Sequence, residues 1–80
     1  MSPIVKDPQD VRARYAGRLA HQHHAVWEAW RVNKSPELAA VMAGLARARE
    51  DYQEHTGWVA DYDGHTTTYH YMNPDERPHL

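Results

Sequence analysis

The sequence contains no cysteine, so neither disulfide bonds nor a cysteine-ligated zinc ion can hold the fold together. It also has no apolar run long enough to span a bilayer, and its start lacks the charged and apolar regions of a signal peptide. Its four glycines are scattered and form no phosphate-binding loop. From these absences we expect a cytoplasmic protein that is not associated with a membrane.

The chain has 80 residues and a net charge of −2. This is the size of one small domain, in which a single core is only marginally sufficient. A protein that binds nucleic acid through its phosphates is expected to be basic, so the charge argues against that class. Seven histidines are many for this length, and their ordinary pKa of about 6.5 predicts a charge that becomes more positive below pH 6.

The strongest local signals predict a helix over about residues 36–56. Ser35 can cap its free amide groups, Pro36 suits the first turn, and Gly57 can adopt the left-handed conformation that ends a helix. Segment 38–46 is apolar or small on every side, which is typical of a helix covered on more than one side. We therefore expect this helix at the centre of the fold. The alternative is an exposed alanine-rich face that favours the helix through propensity alone.

A second helix is predicted over about residues 8–32, with Asp7 as its cap and Pro8 in its first turn. Gly17 falls on the side opposite to its apolar face. Because only residues 33–34 separate the two helices, they should be antiparallel neighbours. The side chains expected to be buried recur at helical spacing: Val11, Tyr15, Leu19, Val26 and Trp30.

After the second of these helices the periodicity changes from 3.6 to 2. Asp63-Gly64 between two β-prone runs predicts a hairpin over about residues 58–72, with a two-residue type I′ turn whose central residues both have positive φ. That turn pairs Tyr62 with His65. One face of the hairpin should pack on the helices, and it carries Trp58, Ala60, Tyr62, His65, Thr67, Tyr69 and Tyr71.

Together these elements predict an α+β domain over residues 1–72, in which an antiparallel helical hairpin precedes a two-stranded β-hairpin. Ile4-Val5 is the only apolar pair before the first helix and is consistent with a short amino-terminal edge strand. Residues 73–80 are polar and broken by proline, so a flexible tail is expected there.

A two-stranded hairpin is marginal by itself and has two open edges. We therefore expect a homodimer, in which the hairpins join edge to edge or the helices form a four-helix core. The alternative is a monomer with the hairpin folded over the helix pair. A glutamate in place of Ala43 would test whether the alanine-rich face of the helix is covered in the dimer.

His21, His24 and Glu28 share one outward side of the first helix. Two imidazoles and a carboxylate could hold zinc, but this spacing is not a zinc signature, and a solvated histidine-rich surface is the favoured interpretation. No cofactor is therefore expected, with zinc as the alternative. Because there is also no nucleophile motif, we expect a protein that is not an enzyme.

The composition favours a small interaction protein, a regulator, adaptor or inhibitor that binds another protein, because Trp, Tyr and Arg dominate interface hot spots. The residues expected to contact the partner are Trp27, Trp30, Trp58, Tyr62, Tyr69 and Tyr71. A dimeric nucleic-acid-binding regulator is the first alternative and would use Arg14, Arg18 and His21. A histidine-based metal-binding protein or small metalloenzyme is the second.

Overall fold

The computed structural model of the protein describes residues 4–5 and 8–72. Two helices precede an antiparallel β-hairpin, which confirms the predicted α+β arrangement. Neither helix in this part of the chain is long and apolar enough to cross a membrane. The tail predicted over residues 73–80 lies outside the described residues. The elements in chain order are β1 Ile4–Val5, α1 Val11–Val32, α2 Pro36–Thr56, β2 Trp58–Tyr62 and β3 Thr67–Tyr71.

β1 adds a third strand to the sheet, in the order β1-β3-β2. Ile4 lies opposite His70 and Val5 lies opposite Tyr69, and the pairing is antiparallel. The short amino-terminal edge strand is thus confirmed. It covers part of the outer edge of β3 and leaves β2 as the other edge of the sheet.

The ends of α2 are formed by the residues that predict them. Ser35 Oγ accepts the backbone N–H groups of Glu37 and Leu38 at 3.1 and 3.3 Å. Gly57 ends the helix with φ of 85°. A side chain at that position would collide with the carbonyl oxygen of Met72, whose own N–H donates to the carbonyl of Gly57 at 2.8 Å. Gly57 therefore ends α2 and also lets the end of β3 pack against the start of β2.

α1 begins at Val11 instead of about residue 8, because Asp10 is its cap. Asp7, the predicted cap, lies outside the described residues. The Asp10 carboxylate accepts the backbone N–H of Arg12 at 2.9 Å and its guanidinium at 2.7 Å. These hydrogen bonds from Arg12 lower the pKa of Asp10 to about 2. A carboxylate at this position also complements the positive end of the helix dipole.

The fold is built around α1 and not around α2. α1 contacts α2, β2 and β3, whereas α2 has no buried residue. Ala40, Ala43 and Gly44 of α2 are exposed, so its alanine-rich side is not covered by any of the described residues. The prediction of α2 as the central helix is therefore wrong. The residues that α1 contributes to the interior are Ala13, Ala16, Gly17, Leu19 and Ala20.

Small residues of α1 pack against aromatic residues of the sheet to form the core. Ala13, Ala16 and Ala20 form one buried cluster with Trp58 and Ala60 of β2. The remaining aromatic residues on the same face of the sheet pack around this cluster and are partly buried: Tyr62, Tyr69 and Tyr71. The aromatic face of the hairpin therefore packs on the helices, as predicted.

The buried face of α1 differs from the predicted one. Gly17 faces the sheet, and a Cβ atom there would lie 3.0 Å from the Tyr69 ring. Val11 and Tyr15 were expected to be buried, but they are 76% and 46% exposed. Of the expected stripe only Leu19 is buried, at 7% exposure, because the sheet packs on the alanines and glycine beside that stripe.

The hairpin has a four-residue connection instead of the predicted two-residue type I′ turn. Asp63 Oδ1 accepts the N–H groups of His65 and Thr66, both at 2.8 Å, and of the turn residues only Gly64 has positive φ. Tyr62 therefore pairs with Thr67 instead of His65. A shift of two residues keeps every side chain on its predicted face, since side chains alternate with a period of two.

Candidate functional site

The helical hairpin has an open face on the side away from the sheet. Val11, Tyr15 and Val41 are 76, 46 and 50% exposed there. Helical spacing places further apolar residues on the same side of each helix, while the sheet covers the alanines of α1. We define the open face by Val11, Tyr15 and Val26 of α1 and by Val41 and Ala48 of α2. Tyr52 lies at its base, where its ring also packs against the core cluster.

A groove runs between the two helices on the open face. Its cavity has a volume of about 320 Å³, and Tyr15 and Tyr52 meet at its floor with ring centroids 4.9 Å apart. The Tyr52 hydroxyl donates to the carbonyl of Arg12 at 3.0 Å, and burial raises its pKa. This bond ties α2 to the first turn of α1, so the groove has a fixed floor with Asp51 and His55 beside it.

Charges of opposite sign flank the open face. Arg14 and Arg18 are exposed on α1, and Asp51 is exposed on α2. Within residues 4–5 and 8–72 none of these three side chains forms an ion pair. The α1 side of the face therefore carries Arg14 and Arg18, and the α2 side carries Asp51 together with the exposed Arg47, four residues earlier in the helix.

A second cavity, the sheet-side pocket, lies where α1 meets β2 and has a volume of about 340 Å³. α1 contributes His23 and Trp27 to its wall, α2 contributes Arg49, and the sheet contributes Asp61 and Tyr62. The complete lining is Ala20, His23, His24, Trp27, Arg49, Asp61, Tyr62 and Asp63. The pocket thus combines aromatic rings with side chains of both charges.

Arg49 fixes one side of the sheet-side pocket. Its guanidinium donates to the carbonyl of Ala60 at 2.6 Å and to the Asp61 carboxylate at 3.0 Å. His70 lies 3.3 Å from the other oxygen of Asp61. The pKa of His23 is lowered by partial burial, by the charge of Arg49 and by His24. Neutral histidine is therefore the favoured form of His23 at neutral pH.

The imidazoles of α1 pack on the hairpin. His21 stacks on Tyr62 with ring centroids 4.0 Å apart, and its Nε2 is hydrogen-bonded to Thr67 Oγ1 at 2.7 Å. His24 meets the edge of Tyr62 at 5.0 Å and lies 5.5 Å from the Trp27 ring. These contacts join α1 to both strands of the hairpin and give Tyr62 a defined position.

The structure does not bring the three candidate metal ligands together. His24 Nε2 lies 3.5 Å from a Glu28 carboxylate oxygen, but His21 turns to Thr67. Among the residues that the structure describes, no group of three histidine, aspartate or glutamate side chains could hold a metal ion. Histidine at these positions is better explained by packing on the hairpin.

The candidate nucleic-acid-binding residues are only partly available. Arg14 and Arg18 are exposed on α1. His21 is also exposed, although its ring is occupied by Tyr62 and Thr67. Two free arginines are a small electrostatic footprint, and nucleic-acid binding stays a prediction.

The aromatic residues expected at a partner interface fall into two groups. Trp58 is buried in the core, so it offers a partner no surface, and Tyr62, Tyr69 and Tyr71 pack partly buried around it. Trp27 and Trp30 lie outside the core. Trp27 is 37% exposed, with the Arg31 guanidinium 5.0 Å from its ring centre, and Lys34 lies 4.0 Å from the ring centre of Trp30.

The open face and the sheet-side pocket were not predicted from the sequence. Val41 and Tyr15 appear in the sequence only as members of apolar stripes, which predict burial. Arg49 and Asp61 lie in different elements, and no local pattern predicts that they meet.

No family model matches the sequence, and comparison with curated proteins and with solved structures found no similar protein.

Proposed function

We propose that the protein is a binding protein without catalytic activity that works as a homodimer, with the open face as the dimer interface. The observation that carries this proposal is the exposure of Val11, Tyr15 and Val41 on one side of a two-helix layer. A clustered apolar surface of this kind marks an interaction site. A second copy would add two helices to the two already present, and the open face would become the centre of a four-helix core.

The charges at the edges of the open face support a second copy as its occupant. In a two-fold contact every interaction occurs twice, because residue i of one copy meets residue j of the other and the reverse also holds. Arg14 and Arg18 of each copy can therefore face Asp51 of the other copy. All three side chains lack an ion pair in the described part of one chain, so dimer formation would give them partners.

Val41→Glu tests the interface directly. The wild type should show twice the 9.3 kDa mass of one chain by light scattering, and its midpoint of thermal unfolding should rise over a roughly hundredfold concentration range. Val41→Glu should give the monomer mass, because a carboxylate without a partner would be buried.

Ala43→Glu is the matched control, because Ala43 is exposed on the other side of the same helix. This variant should stay dimeric. If it dissociates while Val41→Glu does not, the alanine-rich side forms the interface. A wild type that keeps the monomer mass at every concentration would refute the dimer.

The partner in the cell is proposed to be another protein, and the expected regulatory role and cytoplasmic location stay predictions. Binding to a DNA duplex that weakens steeply with added salt would favour the nucleic-acid alternative instead. In that case Arg14→Ala and Arg18→Ala should each weaken binding and reduce the salt dependence.

A further inference from the structure

The sheet-side pocket lies across α1 from the open face. Its walls include Ala20 and His23 of α1, whereas the open face is formed by residues such as Tyr15 at other positions of the helical turn. A dimer that forms through the open face therefore leaves the pocket accessible. Its volume of about 340 Å³ is near the lower end for sites that bind small ligands, so it suits a single side chain.

The pocket carries an excess of negative charge. Asp61 is paired with Arg49 at 3.0 Å, which offsets one carboxylate. Asp63 uses Oδ1 to accept two backbone N–H groups, and these bonds lower the pKa of its carboxyl group. No hydrogen bond to Asp63 Oδ2 is present within the described part of the chain. One full negative charge, with a free oxygen, therefore remains at the pocket.

His23 does not cancel this charge at neutral pH. His23 favours the neutral form, because partial burial and the nearby Arg49 lower its pKa. His24 lies 3.5 Å from the Glu28 carboxylate, so another acidic group stands beside the pocket. Glu28 is itself 3.5 Å from Arg31. An anionic ligand would meet uncompensated negative charge here and is disfavoured.

The aromatic walls point to the same class of ligand as the charge does. Trp27 and Tyr62 both line the pocket. Tyr62 is already stacked on His21, whereas Trp27 is 37% exposed, and the face of such a ring attracts organic cations. The guanidinium of Arg31, 5.0 Å from the centre of the Trp27 ring, is an example within this chain. A ring face and a free carboxylate oxygen in one small cavity can bind a cation through two different interactions at once.

We propose that the sheet-side pocket binds the guanidinium or ammonium group of an arginine or lysine side chain of a partner protein. The cation packs against Trp27 and donates to Asp63 Oδ2. The ligand is taken to belong to a protein because the proposed function is protein binding. The pocket does not depend on the proposed dimer.

The pocket can be tested with Nα-acetyl-argininamide as the probe and nuclear magnetic resonance as the readout. Titration of the full chain should shift the Trp27 indole and the Asp63 and Tyr62 amide resonances in a saturable way. Nα-acetyl-glycinamide, which lacks the cation, and sodium acetate should not shift them. Absence of a saturable shift with the arginine probe, or the same shift with the glycine probe, would overturn the proposal.

Asp63→Asn is the sharpest variant, because an asparagine Oδ1 can still accept the two turn N–H groups while the charge is lost. It should weaken binding of the arginine probe roughly tenfold, as expected for loss of a charge-assisted hydrogen bond. Glu50→Gln removes an equal charge at an exposed position of α2 that belongs neither to the pocket nor to the open face, and it should leave binding unchanged. Trp27→Leu should weaken binding roughly threefold through loss of the ring face. Equal affinities for Asp63→Asn and wild type would refute the role of Asp63.

A Gly-Arg-Gly peptide distinguishes the source of the cation. Tighter binding of the peptide than of free arginine methyl ester supports a protein partner, whereas preference for the free amino acid derivative would overturn the partner assignment. Light scattering on the same samples reports the dimer independently. Probe binding by a monomeric wild type would refute only the dimer, and a dimer that does not bind the probe would refute only the pocket.

Discussion

On one side of α1 the small side chains are buried, and on the other side the larger side chains are exposed. On the sheet side the buried residues are the smallest, with Ala13, Ala16 and Ala20 at 0–3% exposure. On the open side the larger Val11 and Tyr15 remain largely exposed. Which residues of α1 are buried therefore depends on the shape of the sheet that packs against the helix, and hydrophobicity alone does not determine it.

The aromatic composition of the sheet explains this difference. Trp58 and the tyrosines beside it are large, and they can approach the helix backbone only where the facing side chains are small. Gly17 is the extreme case, because the Tyr69 ring occupies the space that a larger side chain would need. Within residues 4–5 and 8–72, the larger residues on the other side of α1 face no such surface.

The largest difference between the two regions should appear when tryptophan is removed. Trp58→Ala should lower the free energy of unfolding by roughly 3–5 kcal/mol, because it leaves a cavity against the alanines of α1. Trp27→Ala deletes the same side chain from the surface and should cost about 1 kcal/mol or less. Urea denaturation of both variants measures the contrast, and similar losses would show that Trp58 is not in the core.

A larger side chain on the sheet side of α1 should lower the free energy of unfolding by less than Trp58→Ala does, but the loss should still be measurable. Ala16→Leu forces extra volume between α1 and the aromatic residues and should lower the free energy of unfolding by roughly 1–3 kcal/mol. Val11→Leu adds volume on the exposed side and should change it by no more than about 0.5 kcal/mol. If Ala16→Leu is tolerated as well as Val11→Leu, the close packing of helix on sheet is not real.

The parts of the fold that depend on local signals could be predicted from the sequence. Ser35 and Gly57 set the ends of α2 through their own hydrogen bonds and conformation, and Asp63-Gly64 marks the hairpin. The pairing was wrong by two residues because the Asp63 side chain bonds to two amides of the turn and lengthens the connection. The alternation of polar and apolar residues does not show that side-chain hydrogen bonds of this kind compete with the backbone hydrogen bonds between strands.

The buried face of α1 and the sheet-side pocket could not be predicted in the same way. Alanine and glycine are compatible with either surface or core, so Ala13 and Gly17 give no signal until the aromatic sheet is placed against them. The pocket brings together Trp27, Arg49 and Asp61, which are far apart in sequence and share no periodicity. Their meeting depends on how the hairpin packs across both helices.

The two mid-helix glycines offer a finer comparison with one substitution. Gly44→Ala should raise the free energy of unfolding by about 0.5–1 kcal/mol, because alanine is the better helix former and a Cβ atom there would have no neighbour within 4 Å. Gly17→Ala should show little or no such gain, because its Cβ would press on the Tyr69 ring at 3.0 Å. Thermal unfolding of both variants at one protein concentration measures the difference. An equal gain at both positions would mean that the sheet sits farther from α1.

The smallest expected effect concerns protonation on the sheet side. Partial burial, with the charges of Arg49 and His24, lowers the pKa of His23 in the folded protein. The unfolded chain, with an ordinary histidine pKa of about 6.5, then binds the proton first. Stability from this group is therefore fully present above that pKa and is lost as pH falls through the lower folded value. Asp10 has a pKa of about 2, below its ordinary value of 3.8. The stability that it contributes is lost only when the pH falls below that ordinary pKa, so the two residues act in separate pH ranges.

His23→Gln isolates this effect. The melting temperature of the wild type should fall between pH 7.5 and pH 5.5, and the variant should show a smaller fall, because glutamine does not take up a proton. His65→Gln removes an exposed histidine of the turn and should leave the wild-type pH dependence in place. Protonation of His23 would also place a positive charge beside Arg49 in the sheet-side pocket, so the same pH change should weaken binding of the arginine probe in the wild type more than in His23→Gln. If both proteins lose stability and probe affinity equally over this range, another titrating group is responsible, and His23 is not held in its neutral form by the packing of α1 on the sheet.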